Sequence, residues 1–194
     1  MIEFTEEQRA AVKTLRQAKL DTDSGMPLEL FLLISGLVPL SNVDLLITND
    51  QGQLLLTRRQ DDWYQPSWHI PGGCMHYGED FIHCVQETAK RELGTEVIVS
   101  PEPIAVRNVI RGEDTSKDYP RERGHNVAIL FACRMPESWE IDNGDKAEAD
   151  DGYASWFDVL PEDFMEIQHV YSDVLRPWQQ EPMVKKECLS ENES

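Results

Sequence analysis

An α+β domain is predicted for this chain of 194 residues on three observations. A capped amphipathic helix fits residues 81–93, short apolar runs separated by turn residues lie on both sides of it, and helical periodicity returns near each end. Taken in order, Thr5 to about Leu20 reads as a helix, with Thr5 and Gln8 as a capping box and Ala11, Val12, Leu15 and Ala18 along one side. A second short helix begins at Pro27. Strand signals follow at Val43 to Thr48 and Gln53 to Thr57, joined by Asn49-Asp-Gln-Gly52. Asp80 suits an N-cap and Gly94 a C′ position, which bounds the central helix at Phe81 and Leu93. Further strands are expected at Val97 to Val99, Ile104 to Ile110, Asn126 to Arg134 and Ala154 to Phe157. An amphipathic helix from about Phe164 to Leu175, with Ile167, Val170, Tyr171 and Val174 inward, closes the domain. Residues 1–37 thus form a helical extension and 38–178 the main domain, while 179–194 is a polar tail expected to be disordered.

Composition narrows the function. A formal charge of -18 opposes nonspecific contact with nucleic acid and with anionic membranes, so a nucleotide substrate has to be met by local cations or a metal. The longest apolar stretch, Leu28 to Leu40, is interrupted by Glu29, Ser35, Gly36 and Pro39 and is too short to span a bilayer. Cys74, Cys84, Cys133 and Cys188 make no CxxC pair, and there is no signal-like start. Both observations point to reduced thiols and a cytoplasmic location. The amphipathic helix near the start is expected to cover the sheet of its own domain, with a homodimer contact as the other use.

Chemistry is expected between Pro71 and Gly94, where Gly72 and Gly73 precede Glu79 and the run Arg91-Glu92-Leu93-Gly94. The paired glycines let the backbone turn where a side chain would clash. On the helix, Phe81, Cys84, Val85, Thr88 and Glu92 share one side. A carboxylate at position 92 therefore faces the side meant for burial and lies at the negative end of the helix dipole. A divalent cation, an arginine from elsewhere, or solvent at a frayed last turn would compensate it.

These residues resemble the Nudix hydrolase signature, with Gly73, Glu79, Glu92 and Gly94 in register. The box is degenerate: Glu87 stands where the family has Arg, Thr88 where it has its first metal-binding Glu, and Arg91 where it has the first of the paired glutamates. Glu87 and Arg91 exchange signs at the same spacing, so an i,i+4 ion pair is expected to survive. The resemblance implies a Nudix-type α/β/α sandwich with a mixed β-sheet, spanning residues 38–178. It also implies a small-molecule nucleotide substrate and one Mg²⁺, with Mn²⁺ as a substitute, held by Glu92, the Gly72 carbonyl, waters and substrate phosphates.

Residues 38 to 160 further resemble the GDP-mannose mannosyl hydrolase branch, through Pro39 to Ile47, Gln53 to Arg59, Trp68 to Gly73 and Glu92 to Gly94. In that branch water attacks the sugar carbon and a nucleoside diphosphate leaves. Arg59 matches an arginine that stabilises the leaving group, and Gly73 lies at the substrate. Asp44 matches a substrate-contacting aspartate, although an alternating strand with Asp44 in solvent fits the pattern equally well. Cys74 stands where the branch has a second arginine. The branch's histidine base is missing from Glu148 to Trp156, which leaves Asp150 or Asp151 as base or second metal ligand, or as an ordinary acidic loop. Ordinary attack at phosphorus and a binding module without turnover are the alternatives. His125, following the cationic stretch of Arg111, Lys117, Arg121 and Arg123, is a further substrate-binding candidate. Trp63, Tyr64 and Trp68 could stack on a base, but serve more often as packing residues.

Overall fold

The computed structural model describes residues 3–17, 26–61, 64–110 and 125–179. The cationic stretch 111–124, Trp63, Cys188 and the tail from 180 onward lie outside them. Helix α1 spans Glu6–Gln17, α2 Leu28–Ser35 and α3 Phe81–Leu93. Strands β1 (Leu40–Ile47), β2 (Leu54–Asp61), β3 (Tyr64–His69) and β4 (Gly72–Cys74) precede α3. Strands β5 (Ile98–Val99), β6 (Ala105–Ile110), β7 (His125–Arg134) and β8 (Ala154–Phe157) follow it.

These strands form two sheets. One runs β4-β1-β7-β5 with β6 also on β7, and the other runs β3-β2-β8. β1 and β7 pair in parallel from Leu40↔Asn126 to Ile47↔Cys133, whereas the other pairings are antiparallel, so the larger sheet is mixed as expected. Successive side chains of a strand point to opposite faces, and both faces of β1 are buried. Val43, Leu45 and Ile47 pack with Cys84, Val85 and Ala89 of α3, while Leu46 packs with Leu54, Leu56, Trp68, Tyr171 and Leu175.

The caps of α3 explain its limits. Asp80 accepts from the His83 N–H at 2.8 Å, and Gly94 adopts φ 73°, a left-handed conformation open to glycine, while its N–H donates to Lys90 O. Cys84, Val85, Thr88 and Ala89 face the core, but Phe81, expected on the same stripe, is 43% exposed at the first turn.

The closing segment departs from expectation. Glu166–Tyr171 is 3₁₀ rather than α, with Met165, Gln168 and Tyr171 buried at a spacing of three. The capping box of α1 forms, Thr5 N donating to Gln8 Oε1 at 2.9 Å and Gln8 N to Thr5 Oγ1 at 3.2 Å. The expected covering role does not hold: α1 buries none of its residues, and Val12 and Leu15 are exposed.

Candidate active site

The glycine pair is built into an edge strand. β4 lies antiparallel to β1, with Val43 opposite Gly73 and Asp44 opposite Gly72, and neither glycine has a positive φ. What they provide is closeness rather than the expected turn. A Cβ on Gly72 would lie 2.5 Å from Asp44 Oδ1 and 2.9 Å from the Val43 carbonyl oxygen. One on Gly73 would lie 2.6 Å from Thr88 Oγ1 and 2.8 Å from an Arg91 nitrogen. The Val43 carbonyl is backbone and cannot swing aside, whereas both neighbours of Gly73, the Thr88 hydroxyl and the Arg91 guanidinium, are side-chain atoms. Gly72→Ala is therefore expected to destabilise the fold by about 1–3 kcal/mol, and by more than Gly73→Ala, in thermal unfolding of the two variants side by side.

Asp44 is buried at 9% exposure, against the solvent-facing alternative. Its partners come from the 3₁₀ segment: Tyr171 Oη donates to Oδ2 at 2.6 Å and Gln168 Nε2 lies 3.4 Å from Oδ1. Gln168 also pairs with both backbone groups of Ile70, accepting from its N–H at 2.7 Å and donating to its carbonyl at 2.9 Å. That satisfies a chain segment leaving β3 where no strand partner is available. Burial raises the Asp44 carboxyl to about 6, partly opposed by the hydrogen bonds from Tyr171 and Gln168.

Glu92 lies on the other side of the glycines, its side chain 19% exposed. Its Oε1 is 3.4 Å from the Gly72 N–H and 3.3 Å from Arg91 Nη2, and its Oε2 is 3.4 Å from Thr57 Oγ1. Burial raises this carboxyl to about 7 against the lowering effect of Arg91, the Gly72 N–H and Arg59. Thr57 is the cross-strand partner of buried His69, with Oγ1 at 3.1 Å from Nε2. The Ile70 carbonyl, 2.9 Å from Nδ1, can only accept, so the Nδ1–H donates to it, while the Thr57 hydroxyl donates to Glu92 Oε2.

Both raised carboxyls bind a proton more tightly in the folded chain than in the unfolded one. The stability they contribute is complete below their unfolded values, 3.8 and 4.5, and is lost as pH rises through about 6 and about 7. The melting temperature is expected to fall between about pH 3.8 and pH 8, with Asp44 alone accounting for up to about 3 kcal/mol. In Asp44→Asn the fall should be visibly shallower by calorimetry.

Asp44, Arg59, His69, Gly72, Gly73 and Tyr171 line one pocket of about 210 Å³, together with Asn42, Cys74, Asn126 and Gln168. Four of the residues expected from sequence are thus brought together, and Glu92 adjoins them through Gly72. Three are not. Asp150 Oδ2 accepts from Ala147 N at 2.7 Å and Asp151 Oδ1 accepts from Gln60 N at 2.8 Å. Both are exposed, spend their carboxylates on backbone N–H groups and do not line the pocket, which matches the ordinary acidic-loop alternative. His125 is bonded to Asn108 Oδ1 at 2.7 Å and stands beside Asn126, but is not itself a lining residue. Trp68 is 3% exposed and packs edge-on against Phe157, so it is a core residue. His69, Gln168 and Tyr171 were not singled out in the sequence. Tyr171 there carried only an inward, apolar signal, and alternation in a strand gives no reason to choose His69.

The expected metal site also differs. Arg91 does not pair with Glu87; Lys90 takes Glu87 at 3.1 Å and Glu96 at 3.0 Å. Arg91 Nη2 instead donates to the Gly72 carbonyl at 3.1 Å as well as to Glu92. The two expected metal donors are therefore already bridged by one guanidinium nitrogen. Among the described residues no three His, Cys, Asp or Glu side chains group as a metal site. With a guanidinium already on both the Gly72 carbonyl and Glu92, this donor set does not fit a resident Mg²⁺ or Mn²⁺.

A NUDIX domain model matches residues 38–173. This chain belongs to the Nudix family. It is a hydrolase, and Nudix hydrolases act on small-molecule nucleoside diphosphate derivatives and generally use divalent metal ions. No curated protein matches the sequence. Among solved structures, a MutT NUDIX hydrolase from Burkholderia pseudomallei has the same fold, with a TM-score of 0.50 at 20% identity over 71% of this chain and 98% of that one. A UDP-X diphosphatase is similar at 0.49 and 17% identity, over 88% and 86% of the two chains. A protein from Jonesia denitrificans described as a possible asymmetric diadenosine tetraphosphate hydrolase is similar at 0.46 and 18%, over 74% and 87%. Among the described residues no helix of this Nudix chain is long and apolar enough to cross a membrane.

Proposed function

We propose that this Nudix hydrolase cleaves a nucleotide sugar of the GDP-mannose type, releasing a nucleoside diphosphate and the sugar. One observation carries the reading: a buried carboxylate, Asp44, and a cation, Arg59, line the same pocket as Gly72 and Gly73. Hydrolysis at a sugar carbon needs a base for water and positive charge for the departing diphosphate. Asp44 is the one carboxylate among the described residues that line it. With its carboxyl raised to about 6 it is ionised at neutral pH and still basic enough to take a proton from water. Tyr171 and Gln168 hold its orientation. Arg59 meets the diphosphate as the carbon–oxygen bond breaks, and the close-packed Gly72 and Gly73 admit phosphate oxygens near the strand backbone. Asp44 thereby takes the role that the sequence alone left to Asp150 or Asp151. The resemblance of residues 38 to 160 to the mannosyl hydrolase branch supports the sugar, and a cytoplasmic location accords with free thiols at Cys84 and Cys133.

The test is a turnover screen of nucleotide sugars, dinucleotides and nucleoside triphosphates, run with and without divalent metal in ¹⁸O-water. The expected result is nucleoside diphosphate from a nucleotide sugar with the label on the sugar. Label on phosphate would replace this reading by attack at phosphorus, and tight binding without product by a nucleotide-binding module.

A further inference from the structure

We propose that the Arg91 guanidinium is a built-in cation standing between the Gly72 carbonyl and Glu92, in the place a divalent ion would need, so that this chain meets phosphate charge without a resident metal. Three observations converge on it. One nitrogen, Nη2, lies 3.1 Å from Gly72 O and 3.3 Å from Glu92 Oε1, and so joins a main-chain carbonyl from β4 to a carboxylate from the end of α3. The same guanidinium occupies space left by the missing Cβ of Gly73, which would lie 2.8 Å from Nη2. Finally, the intrahelical partner that would draw Arg91 away is taken, because Glu87 is bound by Lys90.

The exchange is coherent in charge. Thr88 and Arg91 stand where the Nudix signature has carboxylates, so two negative charges are lost and one positive charge is gained beside Glu92. A divalent ion entering here would have to displace the guanidinium from both donors, or sit beside it and be repelled. A guanidinium stays protonated at all working pH values, so the charge is permanent. With 56% of its side chain exposed, Arg91 has N–H groups left to face a phosphate, alongside Arg59 on β2.

Mn²⁺ alone is the direct probe, titrated against the full chain and followed by loss of the free-ion signal in electron paramagnetic resonance. The wild-type chain is expected to bind Mn²⁺ weakly, and Arg91→Glu, which restores a carboxylate beside Glu92, about 10- to 100-fold more tightly. Equal affinity in the two chains would overturn the proposal, as would tight wild-type binding that Glu92→Gln abolishes. Arg91→Ala adds no charge and serves the same comparison should Arg91→Glu fail to fold. In a second measurement, GDP binding to the wild type is expected to survive EDTA unchanged and to weaken in Arg91→Ala; loss of GDP binding in EDTA would again overturn it. The proposal rests on the hydrolase reading only in this second measurement. If GDP does not bind under any condition, the substrate assignment fails while the Mn²⁺ comparison still decides the role of Arg91.

Discussion

Arg59→Ala is expected to lower kcat/KM for a nucleoside diphosphate sugar about 100- to 1,000-fold. The diphosphate carries its full charge into the leaving group, so a cation that holds it acts most strongly as the bond breaks, and the loss should fall mainly on kcat. Arg59 lines the pocket and is close enough to Glu92 to depress its carboxyl. Its neighbour is the natural control. Arg58, one residue earlier on β2, points to the other face, pairs with Asp163 and lies over the Trp68 ring at 5.6 Å. Arg58→Ala should therefore reduce stability through lost packing and leave kcat nearly intact. Steady-state kinetics and melting curves for the two variants separate the roles, and equal kinetic losses would contradict this division.

Asp44→Asn is expected to reduce kcat about 100- to 10,000-fold. Its pH profile identifies the mechanism. If Asp44 takes the proton, wild-type kcat/KM rises through about pH 6 and levels off above it, since the base must be ionised. The variant should keep substrate affinity within a few fold, because asparagine can still accept from Tyr171, but should lose that rise. A variant that retains the same limb would assign it to another group.

How far the sequence reaches is visible residue by residue. α3 was legible to the residue, because Asp80 and Gly94 are local start and stop signals that need no tertiary context. β3 was not, since Pro66 argues against a strand; it is tolerated because β3 lies at the edge of its sheet. β4 is three residues long and contains two glycines, too little for any periodic signal. The closing segment had the right position and the wrong period, as Gln168 and Tyr171 must both reach across to β1 and β3, and a spacing of three aligns them.

At the site, a buried Asp44 needs a partner, and that partner, Tyr171, is 127 residues away in sequence. Glu92 was recognised as a carboxylate in need of compensation, and an arginine was among the alternatives. That it would be the adjacent Arg91 was hidden, because reading Arg91 as the partner of Glu87 overlooks Lys90, which reaches the same carboxylate from one residue earlier. Asp150 and Asp151 looked available as acids because the sequence does not show which backbone N–H groups they meet in the fold.

The account depends on the space between β1, β4 and the 3₁₀ segment being the nucleotide site. A crystal structure of the chain with bound GDP tests that directly. The diphosphate should lie against Gly72 and Gly73 with its oxygens on Arg59, and Asp44 should face the position of the missing sugar. A nucleotide seated elsewhere on the surface, with this pocket unchanged, would contradict the account.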